Sequence, residues 1–326
     1  VRRLIITNGD CAVAVMQSAG FEAEILAWRD VLHEGQIDSR LELESLSHLR
    51  ASHIANLGWA EFEQVSLDFK TRDSVLKDWH AFDHIELWFE HDMYDQLQVL
   101  QILHFFSLSK ILRSSTTLSL LDNATYLGRC TASSIRDLTP KLKPVDQIQL
   151  ELANSAWLAF GFENPELWSL LKQRDLSALP FLSSCVTRVM QEYPCIHTGL
   201  SRSEFQALQV IGSGIVKPGK VFAACQQLEE AIYMGDLSFM LVLNALMDKP
   251  EPLIKSSLEG QQICASNFAS HKLSITSKGQ SLLGTTGSFT TKSQIWERWL
   301  GGVYLNKSTV WRWDDQRKLL IDITAA

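Results

Sequence analysis

The chain has 326 residues, 46% hydrophobic and 21% charged, which is long enough for two domains and ordinary for a globular protein with ample core. Its formal net charge of −7 is uneven: residues 1–100 hold 18 Asp/Glu and 8 Lys/Arg (18 − 8, a balance of −10), while residues 101–326 hold 19 and 22 (a balance of +3). The acidic first part argues against a broad nucleic-acid surface there, because phosphates need basic neutralisation.

Arg3 to Thr7 is a short apolar run ending in Asn8-Gly9-Asp10. A helix from Cys11 to Ser18 is expected next, with Asp10 as its N-cap and Gly20 closing it. Ala23 to Trp28 is the second strand candidate and ends in Arg29-Asp30-Val31-Leu32-His33-Glu34-Gly35. Leu43, Leu46, Leu49 and Ile54 give helical spacing over 41–56, and a further helix is expected near 71–79. His84 to Phe89 is the third clear strand, stopping at Glu90-His91-Asp92. Leu97, Leu100, Leu103 and Phe106 then mark one face of a helix, and Thr117 to Leu121 is the fourth strand, ending in Asp122-Asn123. Strands alternating with helices predict a mainly parallel sheet, so residues 1–140 are read as an α/β, Rossmann-like, doubly wound domain.

Thr139-Pro140 to Pro144 reads as the boundary, and 145–326 as a helical and winged-helix-like domain. Helices are expected over 146–160, 165–173 and 176–192, with Pro180 in the first turn of the last. Ser201-Arg202-Ser203-Glu204 is a capping box ahead of a helix reaching Ile211, and 221–230 and 237–247 supply two more. The segments Pro252-Leu253-Ile254 and Lys272 to Thr276, with Lys278 to Leu283 after them, resemble a strand pair and following helix of winged-helix regulators. The candidate reading helix, 236–248, offers Asn244 and no basic residue, so nucleic acid as a partner is unsupported by charge. A Trp-rich tail containing Trp296, Trp299, Trp311 and Trp313 is expected to dock on the body.

The six cysteines (Cys11, Cys130, Cys185, Cys195, Cys225, Cys264) show neither C-x-x-C nor zinc-ligand spacing. They read as separate, reduced, mostly buried thiols of a cytoplasmic protein. No apolar run approaches the roughly 18 residues of a membrane span, and no secretory signal is read.

Ligands bind outside the carboxyl ends of strands in open parallel sheets. Those ends deliver Asp10, Asp30, Glu90 with Asp92, and Asp122, with His33, Glu34, His91 and Asp95 a few residues away. Unit charges about 6 Å apart repel by roughly 3 kcal/mol at an effective dielectric near 20, so converging acids need a cation, a basic partner or a raised pKa. Mg²⁺ or Mn²⁺ held by Asp10, Asp30, Glu90 and Asp92 meets that need. Asn8, Gly9, Asp10, Arg29, Asp30, Asp95 and Gln96 are then the ligand-binding candidates, and Glu90, His91, Asp92, His33 and Glu34 the catalytic ones. The chemistry that fits is divalent-metal-dependent hydrolysis or transfer on a phosphorylated or nucleotide compound. The alternative is a non-catalytic regulator whose winged-helix half contacts DNA or a protein. Plainer roles stand beside these: Asp10 and Asp92 as N-caps, Glu90 paired with Arg29, and Trp28 and Trp88 packed in the sheet. There is no Walker loop and no G-x-G-x-x-G, which disfavours a dinucleotide.

Three stretches together resemble a bacterial family, domain of unknown function 1835: Thr7-Asn8-Gly9-Asp10, Trp28 to Gly35, and Trp88 to Gln98. Gly199-Leu200-Ser201-Arg202 and Arg298 to Val303 are similar to its C-terminal companion, domain of unknown function 3658. The sequence departs from the family at Gln36, where proline is expected. The resemblance covers nearly the whole chain and implies a bacterial, cytoplasmic protein, with no reaction to transfer.

Overall fold

The apolar runs build strands and the spaced leucines build helices in the alternation expected. The computed structural model describes residues 1–284 and 295–324. In chain order its first elements are β1 (Arg3–Thr7), α1 (Asp10–Ser18), β2 (Glu24–Ala27), β3 (Gly35–Gln36), α2 (Leu43–Asn56), α3 (Phe62–Lys77), β4 (His84–Trp88) and α4 (Met93–Leu108). β5 (Thr117–Leu121), α5 (Ala132–Arg136), β6 (Leu142–Pro144), α6 (Gln147–Phe160), α7 (Glu166–Leu170) and α8 (Leu182–Met190) follow. The central sheet has five strands in the order β2-β1-β4-β5-β6. All neighbours are parallel except β6, which runs antiparallel to β5.

Leu4, Ile5 and Ile6 are fully buried, as a central parallel strand covered on both faces requires. Ile5, Trp88 and Leu121 pack with Ala12 and Met16 of α1 and Ile135 of α5. The stripe Leu97, Leu100, Leu103 and Phe106 is buried, and α4 packs along α6.

Several expectations are corrected. Asp10 is the first residue of α1, behind an extended Gly9, and makes no cap. In the 139–144 stretch, read as the boundary, Leu142–Pro144 is an edge strand, where a proline removes no needed ladder donor. The compact unit runs past it: residues 1–186 with 301–303 form one unit, and 187–300 with 304 onward the other. The physical reason is α6, whose apolar face packs on α4. α3 starts at Phe62, well before 71, with Val65, Phe69, Arg72 and Leu76 as its buried stripe. α8 begins at Leu182, so Pro180 lies in the turn before it.

The second unit contains α9 (Arg202–Gly212), α10 (Pro218–Gln226), α11 (Asp236–Met247), β7 (Ile254–Ser256), β8 (Leu273–Ile275) and α12 (Ser277–Leu283). β9 (Arg298–Gly301), β10 (Val303–Leu305), β11 (Trp311–Asp314) and β12 (Leu319–Asp322) complete the chain. The capping box is present: Ser201 Oγ accepts from the Glu204 N–H, and Glu204 returns the bond to the Ser201 N–H. Leu208, Val221, Val242, Leu243 and Leu246 form its core, with antiparallel β7 and β8 alongside. α11 therefore spends its apolar face on packing and has no basic side chain to offer a groove. In the tail, Trp313 exchanges backbone hydrogen bonds with Pro194 and Ile196 at 3.0 Å each.

The cysteines are unpaired, but only Cys185 and Cys225 are buried, while Cys11 and Cys264 are exposed. The expectation of mostly buried thiols is thus corrected. Among the described residues, no helix is long and apolar enough to cross a membrane.

Candidate functional site

β1 has β2 on one side and β4 on the other. The connection leaving β1 leads to β2, and the one leaving β4 leads to β5, so the chain diverges at the carboxyl ends of β1 and β4. This is where open α/β sheets form a crevice. Asn8 follows β1 there, and Phe89 to Asp92 follow β4.

Glu90, Asp92 and Asp95 each bring a carboxylate oxygen to this place, and the three oxygens lie within 4.8 Å of one another. All three residues are buried. The local sequence explains the convergence. The apolar strand ends at Glu90; Asp92 is the N-cap of α4, accepting the Asp95 N–H at 3.2 Å; Asp95 sits one turn in, on the same side. Asn8 Nδ2 donates to Asp95 Oδ1 at 3.0 Å, tying β1 to α4. The Glu90 N–H donates to Asp95 Oδ2. Gln96 Nε2 donates to the Glu90 carbonyl at 2.7 Å, and the Leu127 N–H to Glu90 Oε1 at 2.6 Å. Tyr94 Oη donates to the Asn8 carbonyl at 3.3 Å.

At 4.8 Å, two carboxylates repel by about 3 kcal/mol at an effective dielectric near 20. Burial and this repulsion act in one direction. Burial pushes Glu90 up, opposed by hydrogen bonds from Leu127, Asn8 and Gly128 and by the Arg129 charge. Burial and the Glu90 charge push Asp92 up to about 7. Burial, then the charges of Asp92 and Glu90, raise Asp95 well above the usual carboxylate range. Burial also pushes up the Cys185 thiol, helped by the Asp92 charge.

The other expected residues are placed differently. Asp30 is fully buried but is held by Arg50, with Nε 3.0 Å from Oδ1. Arg50 also donates to the carbonyls of Val31 at 2.8 Å and Glu34 at 2.6 Å, so this turn is wrapped around one guanidinium. Gln98 Nε2 adds a 2.7 Å bond to the Asp30 carbonyl. Asp10 pairs with Arg29 at 2.7 Å on the exposed surface, which also answers the Glu90–Arg29 alternative. Two of the four acids expected to share a cation, Asp10 and Asp30, are therefore outside the cluster, and Asp95 is inside it. His33 and Glu34 are buried, His33 edge-on to Tyr94 with ring centroids 5.9 Å apart. His91 lies against Tyr126 and Phe181, at 5.0 and 5.9 Å, and burial lowers its pKa; its buried Nδ1 has no hydrogen-bond partner among the described residues. Asp122 pairs with Lys143 at 2.6 Å.

Trp28 and Trp88 are core residues, their indole N–H groups donating to Gln101 and Glu86 at 2.9 Å each. Arg50 is the participant sequence reasoning missed. Its signal was its place in the buried face of α2 with Leu46, Ala51 and Ile54. The Leu127 and Gly128 amides carried no signal, since backbone donors are invisible in residue identity. No protein-family model matches the chain, and no curated protein matches it.

Proposed function

We propose that Glu90, Asp92 and Asp95 hold one divalent cation, Mg²⁺ or Mn²⁺, and that this unit supports hydrolysis or transfer on a phosphorylated or nucleotide compound. The observation that carries the reading is the meeting of three buried carboxylate oxygens within 4.8 Å at the diverging strand ends. The donor set fits: hard cations take carboxylate oxygens, and here each carboxylate is oriented by a hydrogen bond from Asn8 or a backbone N–H. A cation also removes the repulsion that otherwise requires shared protons. When bound, it would polarise a phosphoryl oxygen as a Lewis acid. Phe89 and Gln96 of the same turn also line a cleft of about 160 Å³ that includes the Lys143–Asp122 ion pair. The chain's own part is to hold the carboxylates through Asn8 and the Leu127 amide and to keep water out through Phe89. With this go a Rossmann-like reading of the first unit, a winged-helix-like reading of the second, membership of the domain of unknown function 1835 family on the three motifs above, and a cytoplasmic location.

A second reading rests on the hydrogen bonds alone. Asp92 caps α4 and Asp95 braces Glu90 and Asn8, so the cluster can serve as a proton-sharing clamp on the strand–helix turn. Thermal unfolding with Mg²⁺, Mn²⁺, ATP, ADP and AMP, combined with phosphate-release assays, separates the two. The cation reading expects Mn²⁺ to raise the melting temperature of the wild type and not of Asp95→Asn, and phosphate release to need the metal. A wild type indifferent to both metals leaves only the clamp; metal binding without release from any nucleotide removes the phosphoryl chemistry and keeps the site.

A further inference from the structure

The second unit contains a cleft of about 550 Å³, within the range of roughly 300–1,000 Å³ typical of small-molecule sites. Its apolar wall is Leu200, Phe205 and Trp313. Cys195 belongs to the same wall, and burial pushes its thiol up, so it offers a neutral surface and no nucleophile. One ion pair sits in the lining, Arg202 Nη2 lying 2.7 Å from Glu230, and His197 Nε2 lies 3.3 Å from Asp315. Arg202 is thus matched by an acid of its own.

Lys318 is different. It lines the cleft, and among the described residues no acid lies within ion-pair distance of it. It also occupies the turn between β11 and β12 with φ 58°, the left-handed region that favours glycine. The turn is tight: the Lys318 N–H donates to the Asp314 carbonyl at 2.9 Å, and the Gln316 and Arg317 N–H groups reach Asp314 Oδ1 at 2.9 and 3.0 Å. A lysine held where glycine is the relaxed choice keeps an unmatched cation in the cleft lining at a conformational cost.

We propose that this cleft binds a small organic monocarboxylate with an apolar or aromatic body, the body against Phe205 and Trp313 and the carboxylate on Lys318. A neutral ligand leaves Lys318 unmatched, and a cation is repelled by it. The probes are 3-phenylpropionate, its neutral amide and 3-phenylpropylamine, titrated calorimetrically against the full chain. The carboxylate is expected to bind about fivefold more tightly than the amide, the size of a partly exposed ion pair, and the amine not at all. Lys318→Gly is expected to fold as well as the wild type, because glycine relieves the left-handed backbone, and to lose the preference. Lys318→Arg is expected to keep it. Equal binding of acid and amide to the wild type, a preference that survives Lys318→Gly, or no binding of any probe overturns the proposal.

Discussion

Replacing Asp92 with asparagine is expected to stabilise the cation-free protein above neutral pH. The Asp92 carboxyl is raised from 3.8 to about 7, chiefly by burial and then by the Glu90 charge. The folded state therefore holds an extra proton between about pH 4 and pH 7. That stabilising contribution is complete below the unfolded value near 4 and is lost as pH rises through about 7. About three units correspond to about 4 kcal/mol. Asparagine keeps the α4 cap, since its side-chain oxygen still accepts the Asp95 N–H, and it never ionises. The variant should match the wild type near pH 4 and exceed it by up to about 4 kcal/mol at pH 8, on the order of 10 °C in melting temperature. Unfolding followed by circular dichroism in EDTA at pH 4 to 8 measures this. The quantity to read is the difference between the two proteins, because His53 titrates with the opposite sign in both. A flat difference, or a variant less stable than the wild type at pH 8, refutes the argument from burial and repulsion.

Other outcomes are expected from the same geometry. Arg50→Met leaves Asp30 buried without its cation and should cost about 3–5 kcal/mol, read from the urea midpoint, with Asp30→Asn in the same chain recovering part of it. Asp10→Ala removes an exposed pair and should cost under about 1 kcal/mol while leaving Mn²⁺ affinity unchanged. Burial and the Arg50 charge lower His53 to about 4, so its stabilising contribution is full above about 6.5 and is lost as pH falls towards 4; His53→Gln should remove that acid-side decline in a pH series of thermal melts. Leu100→Ala opens a cavity in the buried stripe of α4 and should cost about 2–5 kcal/mol in denaturant unfolding.

The strand–helix turn at Glu90 to Asp92 was legible because two local signals coincide there: an apolar run that stops, and an N-cap aspartate that starts a spaced stripe. Those signals locate a turn and place Asp95 on its inner side. They do not say which distant acids arrive. Asp10 and Asp30 also follow strands, yet one turns outward behind an extended Gly9 and the other is claimed by Arg50, twenty positions along the chain. The spacing of α2 puts Arg50 on its buried face, but which acid the guanidinium meets there is decided by tertiary packing. The edge strand β6 falls in the stretch read as the boundary for a related reason: Leu-Lys-Pro has little apolar alternation, and its pairing with β5 is a tertiary fact. The domain boundary moved with it, because α6 reports its partner only through α4.

A Mn²⁺ titration followed by electron paramagnetic resonance, in unbuffered solution with simultaneous proton counting, tests the three-carboxylate site most directly. The expected result is one Mn²⁺ per chain at pH 7 with protons released on binding, since the raised carboxyls must give them up, and loss of that site in Asp95→Asn. A wild type that takes up no stoichiometric Mn²⁺, or an Asp95→Asn variant that binds it equally well, contradicts the account.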